Sequence, residues 1–252
     1  MSYFKKFLLA SAQKHNSRLI FNLDISAGVI FMDLNYLEKS KIEDLKFDAI
    51  SMLNEIKPYV SAIKINRQFT DVAGLCFISE LLDYNIPLIA DFKIADIDST
   101  SSKIASNAFN AGFDAVICHG FVGKDPLEAV CQVARDMERG VIVVVSMSHP
   151  GSRYFINPNS EKIAELVKSM GSEKIDGVVA PATFPGEIKK LRNILGDDIL
   201  IMSPGVGAQG ANPGDAISHG ANFEMVGRAI YNAQEPGKAA KEIAGKLKYK
   251  QN

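Results

Sequence analysis

Residues 87–118, PLIADFKIADIDSTSSKIASNAFNAGFDAVIC, decide the fold. Pro87–Ala90 is an apolar run of strand length, Ser99–Ala111 carries a helical pattern, and Ala115–Cys118 is a second apolar run. That is one strand–helix–strand unit. Near-continuous apolar strands are buried on both faces, as parallel strands covered by helices are. The charged residues Asp91, Lys93 and Asp96 fall where the first strand gives out.

The same alternation continues in both directions. Further apolar runs lie at Leu19–Leu23, Val60–Ile65, Val141–Val145, Gly177–Ala180, Ile199–Met202 and Asn222–Val226, which makes eight in all. Helical patterns fill the intervals at Asp71–Asp83, Pro126–Arg139, Ser160–Met170 and Pro185–Leu195, and one more follows at Lys238–Lys248. Eight such units without a Gly/Ser/Pro linker predict one α/β domain over residues 1–252, a (β/α)8 TIM barrel; barrels of this kind typically run to about 250 residues. An open doubly wound sheet is the competitor, but no G-x-G-x-x-G follows the first strand. The polar connection Gly28–Lys46 predicts an insertion at the top of the barrel. The N-terminal MSYFKKFLLASA has too short an apolar stretch for a signal peptide and reads as a short extra helix covering the bottom.

Composition narrows the function. The 252 residues carry 28 Lys+Arg against 29 Asp+Glu, a net charge of -1, so no global field draws the chain to nucleic acid or a membrane surface. No run approaches the roughly 20 apolar residues of a membrane helix. Cys76, Cys118 and Cys131 are too few and scattered for a disulfide framework or zinc finger, and a reducing cytoplasm is the expected compartment. Cys118 reads as an apolar strand residue, and Cys76 and Cys131 as helix-face residues. His119 and His149 have no metal-ligand companions at useful spacing and read as structural or supporting residues.

Active sites of such barrels lie at the C-terminal ends of the strands. The first run ends in Asp24, the second carries Lys64, and the third ends in Asp91 and Lys93. Each alone reads as a strand-end ion pair. Together they come from three neighbouring strands, alternate in sign, and converge on one mouth. Asp91 and Lys93 are two apart, so a pleated strand points both to one face. Asp96 falls in the turn before the helix; Asp98 and Ser99 are the more obvious caps, which leaves Asp96 unassigned. The seventh run leads into SPGVGAQG, residues 203–210, and the eighth into Gly227-Arg228. Barrels often hold a phosphate at this place, on backbone N–H groups and a basic side chain. Arg228 offers planar donors that match phosphate.

These residues together resemble a known family. DFKIAD at 91–96, MSHPG at 147–151, SPGVGAQG at 203–210 and GR at 227–228 resemble orotidine 5'-phosphate decarboxylase in its compact archaeal form, from about Leu19 to Tyr231. The resemblance implies a homodimeric barrel that converts orotidine 5'-monophosphate to UMP and CO2, the last step of de novo UMP synthesis, with no metal and no organic cofactor. It implies that Lys93 protonates C6, that Asp91 faces the departing carboxylate, and that Lys64 and Asp96 complete the array, Asp96 coming from the other subunit. Asp24 would hold the ribose hydroxyls, with Thr100 of the partner's loop beside them. Ser148 would bind the pyrimidine, Pro204 would line the pocket, and Gln209, Gly227 and Arg228 would hold the phosphate. Asn66 and Ser146 depart from the family's pattern, which would put a glycine and an acidic residue there. Residues Ser152 to Pro158 are expected to form a phosphate-gripping lid.

Two other readings remain open. One is a Mg2+-dependent barrel of the hexulose-phosphate synthase or ketogulonate-phosphate decarboxylase kind; it would carry a metal-holding glutamate where this chain has Lys64, whose charge repels Mg2+. The other is a non-catalytic nucleotide-binding barrel, which would keep the phosphate loop without needing the charged array.

Overall fold

In a computed structural model, which describes residues 1–25, 39–207 and 209–249, eight parallel strands close into one barrel in sequence order. They are β1 Leu19–Leu23, β2 Ala62–Asn66, β3 Leu88–Ile94, β4 Ala115–His119, β5 Gly140–Val144, β6 Gly177–Val179, β7 Leu200–Pro204 and β8 Phe223–Val226. The helices are α1 Tyr3–His15, α2 Lys39–Ile56, α3 Arg67–Ala73, α4 Asp98–Ala111, α5 Lys124–Asp136, α6 Ser152–Phe155, α7 Ser160–Met170, α8 Pro185–Leu195, α9 Asp215–Ser218, α10 Arg228–Tyr231 and α11 Pro236–Lys246. The expected (β/α)8 architecture is therefore present, with boundaries moved by a few residues at most strands.

Strand alternation sorts the apolar side chains into two cores. Leu19, Phe21 and Leu23 of β1 face the helices, in one cluster with Leu45, Leu53 and Ile56 of the α2 unit. Ile20 faces the barrel interior with Ala62, Ile89, Ile117, Ile142, Val144, Met202, Phe223 and Met225. Period-two alternation thus turns Asn22 and Asp24 inward as well. Helix α1 closes the N-terminal end: Phe4, Leu8 and Ala12, on one helical stripe, belong to this inner core. Ser2 caps α1 by accepting from the Lys5 amide at 3.0 Å, and its hydroxyl donates to the buried Asp176 carboxylate. The Lys5 ammonium reaches the Asp198 carbonyl. The expected helix beneath the barrel is thus a plug, and Gly140 admits it, since a Cβ there would lie 2.3 Å from the Phe4 ring.

Three local expectations change. The segment read as one helix over Asp71–Asp83 is α3 followed by 3-10 turns at Leu75–Tyr84. Asn66 starts α3 early by accepting from the Phe69 amide at 2.9 Å, and Gly74, at φ +82, breaks it. The polar connection expected to run to Lys46 is already helical from Lys39, because Leu45, Ala49, Leu53 and Ile56 form a buried stripe at helical spacing; residues 28–38 of that expected insertion lie outside the described residues. Asp98 sits in the first turn of α4 and accepts from the Ser99 amide, while the helix N-cap is Ile97, with no side-chain cap.

Candidate active site

The C-terminal ends of β1, β2 and β3 bring four charges into one chain. The Lys64 ammonium lies 2.7 Å from Asp91 and 3.3 Å from Asp24, and the Lys93 ammonium lies 2.7 Å from the other oxygen of Asp91. The order Asp24–Lys64–Asp91–Lys93 alternates in sign, which is what makes so many charges tolerable beside an apolar core. Lys64 is buried, and burial alone would lower its pKa; Asp91 and Asp24 outweigh that and raise it above the ordinary lysine value. Burial would likewise raise the Asp91 pKa, but Lys64 and Lys93, by charge and hydrogen bond, bring it down to about 2. Lys64 and Asp91 are therefore a fixed ion pair at neutral pH.

Lys93 differs from Lys64 in two respects. Its side chain is 41% exposed against 5%. Its backbone lies in the left-handed region at φ +45, and the pairing of β3 with β4 shifts register between Ala90 and Ile94. The plain pleat expected for Asp91 and Lys93 is thus corrected to a bulge. The two side chains still meet, with the Lys93 ammonium 2.7 Å from Asp91. A non-glycine residue held in this conformation is a strain that clusters at functional sites. His119, at the end of β4, is buried with its ring 4.8 Å from that of Phe121. Burial and then the charge of Lys93 lower its pKa, against the opposing pull of Asp91, so it is neutral near pH 7.

A cavity of about 230 Å³ opens over the array, lined by Asp24, Lys64, Asp91, Lys93, Ser148, Pro204 and Gln209, with an apolar floor that includes Ile117, Val144 and Val179. A smaller cavity of about 90 Å³ adjoins it through Asn22, Asp24, Pro204 and Gln209, and is lined by Gly205, Gly227, Arg228 and Tyr231. Gly205, Gly207 and Gly210 all have positive φ, and the Gly207 amide closes the loop on the Ala211 carbonyl at 2.8 Å. Glu224 anchors the segment that follows: buried in β8, it accepts from the amides of Gly214, Ala216 and Ile217. The two cavities together offer a charged end, a flat apolar floor and a basic, glycine-lined end. A larger cavity of about 690 Å³ beside α2 is lined by Asp44, Asp48 and Glu55 as well as Asp24, an acidic wall unsuited to a phosphate.

Of the eleven residues singled out in the sequence, nine line these two adjoining cavities. The other two do not. Asp96 is exposed, with its carboxylate accepting from the Ile97 amide at 2.7 Å, and Thr100 lies on the first turns of α4, outside both cavities. Residues 152–158 also line neither cavity. They brace the Ser148 segment instead: Asn157 accepts from the Met147 amide and donates to its carbonyl, each at 3.0 Å, and the Ser152 hydroxyl donates to the same carbonyl at 2.9 Å. Sequence reasoning missed Asn22, Met147, Tyr231 and the floor residues. The one available signal was Asn22, a polar residue in the middle of the apolar run LIFNL. Among the described residues no three His, Cys, Asp or Glu side chains are grouped to hold a metal ion. The space between the Asp24 and Asp91 carboxylates is filled by the Lys64 ammonium.

Comparison with known proteins gives the same picture. The family model described as orotidine 5'-phosphate decarboxylase / HUMPS family matches residues 17–243. Orotidine 5'-phosphate decarboxylase of Methanosarcina acetivorans is 43% identical over 200 residues, covering 79% of this chain and 89% of the relative. That of Pyrococcus furiosus is 39% identical over 221 residues, covering 87% and 98%. The solved orotidine 5'-monophosphate decarboxylase of Methanocaldococcus jannaschii, complexed with the inhibitor BMP, superposes with a TM-score of 0.79 at 35% identity, over 92% of this chain and 98% of the other. By sequence, fold and strand-end chemistry alike, this chain belongs to the orotidine 5'-phosphate decarboxylase / HUMPS family.

Proposed function

We propose that the chain is a carboxy-lyase acting as a single barrel domain, converting orotidine 5'-monophosphate to UMP and CO2 as the last step of de novo UMP synthesis. The observation that carries this reading is the alternating array Asp24–Lys64–Asp91–Lys93 at the mouth of the barrel. The family's relatives supply the reaction, and the array fits its chemistry. When the bond from C6 to the carboxylate breaks, the electron pair stays on C6 and CO2 departs. The exposed Lys93 ammonium faces that carbon, stabilises the growing charge, and transfers a proton to form the C6–H bond. Water then returns a proton to the Lys93 amine. Asp91 keeps Lys93 charged and aimed, and stands beside the departing carboxylate. Lys64 holds Asp91, and with Asp24 it binds the ribose hydroxyls.

At the other end Gln209, Gly227 and Arg228 bind the phosphate, Pro204 lines the pocket, and Ser148 contacts the pyrimidine. Phosphate binding far from C6 supplies energy for ordering the site. The active site is shared in a homodimer: the exposed Asp96 and the half-buried Thr100 of one subunit complete the array and the ribose contact of the other. That fits their position outside the cavity of their own chain. The enzyme works in the cytoplasm. The test is the loss of substrate absorbance with purified protein, with and without EDTA. Rapid, EDTA-resistant loss that Lys93→Ala abolishes is the expected result. A folded protein that binds UMP without turnover would establish a nucleotide-binding barrel instead, and loss of activity with EDTA would establish a metal-dependent one.

A further inference from the structure

Two side-chain oxygens on the lining of the charged cavity have no hydrogen-bond partner. Asn22 is 9% exposed and Ser146 1%, and both line the cavity. The Asn22 Oδ1 and the Ser146 Oγ are buried and make no hydrogen bond. A buried polar atom left unpaired is destabilising, and in native structures such atoms point to a bound water or a function. They are the only two such atoms on this cavity's lining among the described residues.

Their positions select a ligand group. Asn22 is two residues before Asp24 on β1 and pairs in register with Lys64 of β2. Ser146 follows β5 and is two residues before Ser148. Each therefore precedes the residue assigned to ribose or base on its segment of the chain and lies nearer the end of its strand. They approach from β1 and β5, on opposite walls. Beside them the floor is apolar at Ile117, Val144 and Val179. A flat ring resting on that floor would meet one polar group on each side, and each group both donates and accepts.

We infer that Asn22 and Ser146 are substrate-binding residues that hydrogen-bond the polar edge of the pyrimidine, the N3–H and ring carbonyls. This rests on the nucleotide reading above and extends it, since the base would be read from below by side chains as well as from the Ser148 segment. The Asn22 and Ser146 oxygens would then find their partners on the bound base.

The experiment is titration calorimetry of the full-length protein with UMP and, separately, with ribose 5-phosphate, which lacks the base. Wild type is compared with Asn22→Ala, Asn22→Ser and Ser146→Ala, with circular dichroism to verify folding. Loss of one such bond should weaken UMP binding about five- to tenfold. Ribose 5-phosphate binding should stay within about twofold of wild type, and Asn22→Ser should fall between wild type and Asn22→Ala. Ser146→Ala should also melt higher than wild type without ligand, because it removes an unpaired hydroxyl. If Asn22→Ala does not fold, Asn22→Ser and Ser146→Ala decide. Unchanged UMP affinity in the variants would mean that the two groups hold only water, and would overturn the inference alone. Equal weakening toward both ligands would overturn it too, as a general disturbance of the pocket. A wild type that does not bind UMP would overturn the nucleotide reading itself.

Discussion

Asp91→Asn removes one charge from the middle of the array and keeps the shape. Asp91 accepts at 2.7 Å from both Lys64 and Lys93 and its side chain is only 9% exposed, so solvent screens these contacts little. Its pKa falls from an ordinary 3.8 to about 2 in the folded protein. At 1.36 kcal/mol per unit, that depression is worth about 2 kcal/mol at neutral pH. The sign follows from the direction. A carboxyl with a depressed folded pKa contributes stability that is fully present above the unfolded value and is lost as pH falls through the folded one. The asparagine cannot titrate, so the stability gap between wild type and variant should be complete at pH 7, about 1 kcal/mol smaller at pH 3, and almost closed near pH 2. That figure already contains the loss of Asp91 as a partner of the buried Lys64 ammonium, so a gap of about 2 kcal/mol is expected at neutral pH. Urea unfolding at pH 7, 5, 4 and 3 measures the gap. A gap below about 1 kcal/mol at pH 7, or one equal at pH 7 and pH 3, would refute the claim that charge holds Asp91 in place.

Other perturbations test separate parts of the molecule. Arg228→Ala, remote from the reacting carbon, should lower kcat/KM by about 10- to 100-fold, the worth of a charged hydrogen bond to phosphate; an unchanged kcat/KM would remove Arg228 from the site. Asp96→Asn and Lys93→Ala chains, each nearly inactive, should regain activity when mixed, because in the proposed homodimer a mixed pair would hold one intact site. No recovery after verified subunit exchange would count against a shared site. Gly140→Ala would set a Cβ 2.3 Å from the Phe4 ring, so it should lower stability by about 1–3 kcal/mol with kcat little changed, read as a drop in Tm. Glu224→Ala leaves three amides of the β7–β8 connection without their acceptor. It should raise KM more than it lowers kcat, since that connection also carries Gln209.

The barrel was legible because its strands are buried on both faces, and burial is what an apolar run reports. Helices α7 and α8 match the sequence reading to the residue, since each is a strongly two-sided segment ended by glycine. The convergence of the candidate site residues was legible because charges at the ends of buried strands have no cheap structural explanation. What stayed hidden depends on tertiary pairing. The break at Gly74 is set by where Asn66 starts the preceding helix, and periodicity alone does not see a cap that early. The bulge at Lys93 arises from how β3 meets β4, which no local pattern encodes. Asn22 was visible as a polar residue in an apolar strand, but the burial of its unpaired Oδ1 is a property of the closed barrel.

The bulge also separates the duties of two lysines that share one carboxylate. Lys64 comes from a regular strand, is buried, and is bound by two carboxylates that raise its pKa. A group so held gives up its proton reluctantly and serves as a fixed counter-ion. Lys93 has the same side chain and the same 2.7 Å bond to Asp91, but no second acidic neighbour in its own chain among the described residues. Its backbone is strained and its ammonium is open to the cavity mouth. It can therefore deliver a proton and recover one from water. On the proposed reading the exposed Asp96 of the partner subunit would approach this open end of the array. Each chain would then hold Lys64 permanently with its own carboxylates, while the environment of Lys93 would be completed only by assembly. On that reading Lys93, and not Lys64, would be the acid, and the shared-site experiment tests the assembly that this role requires.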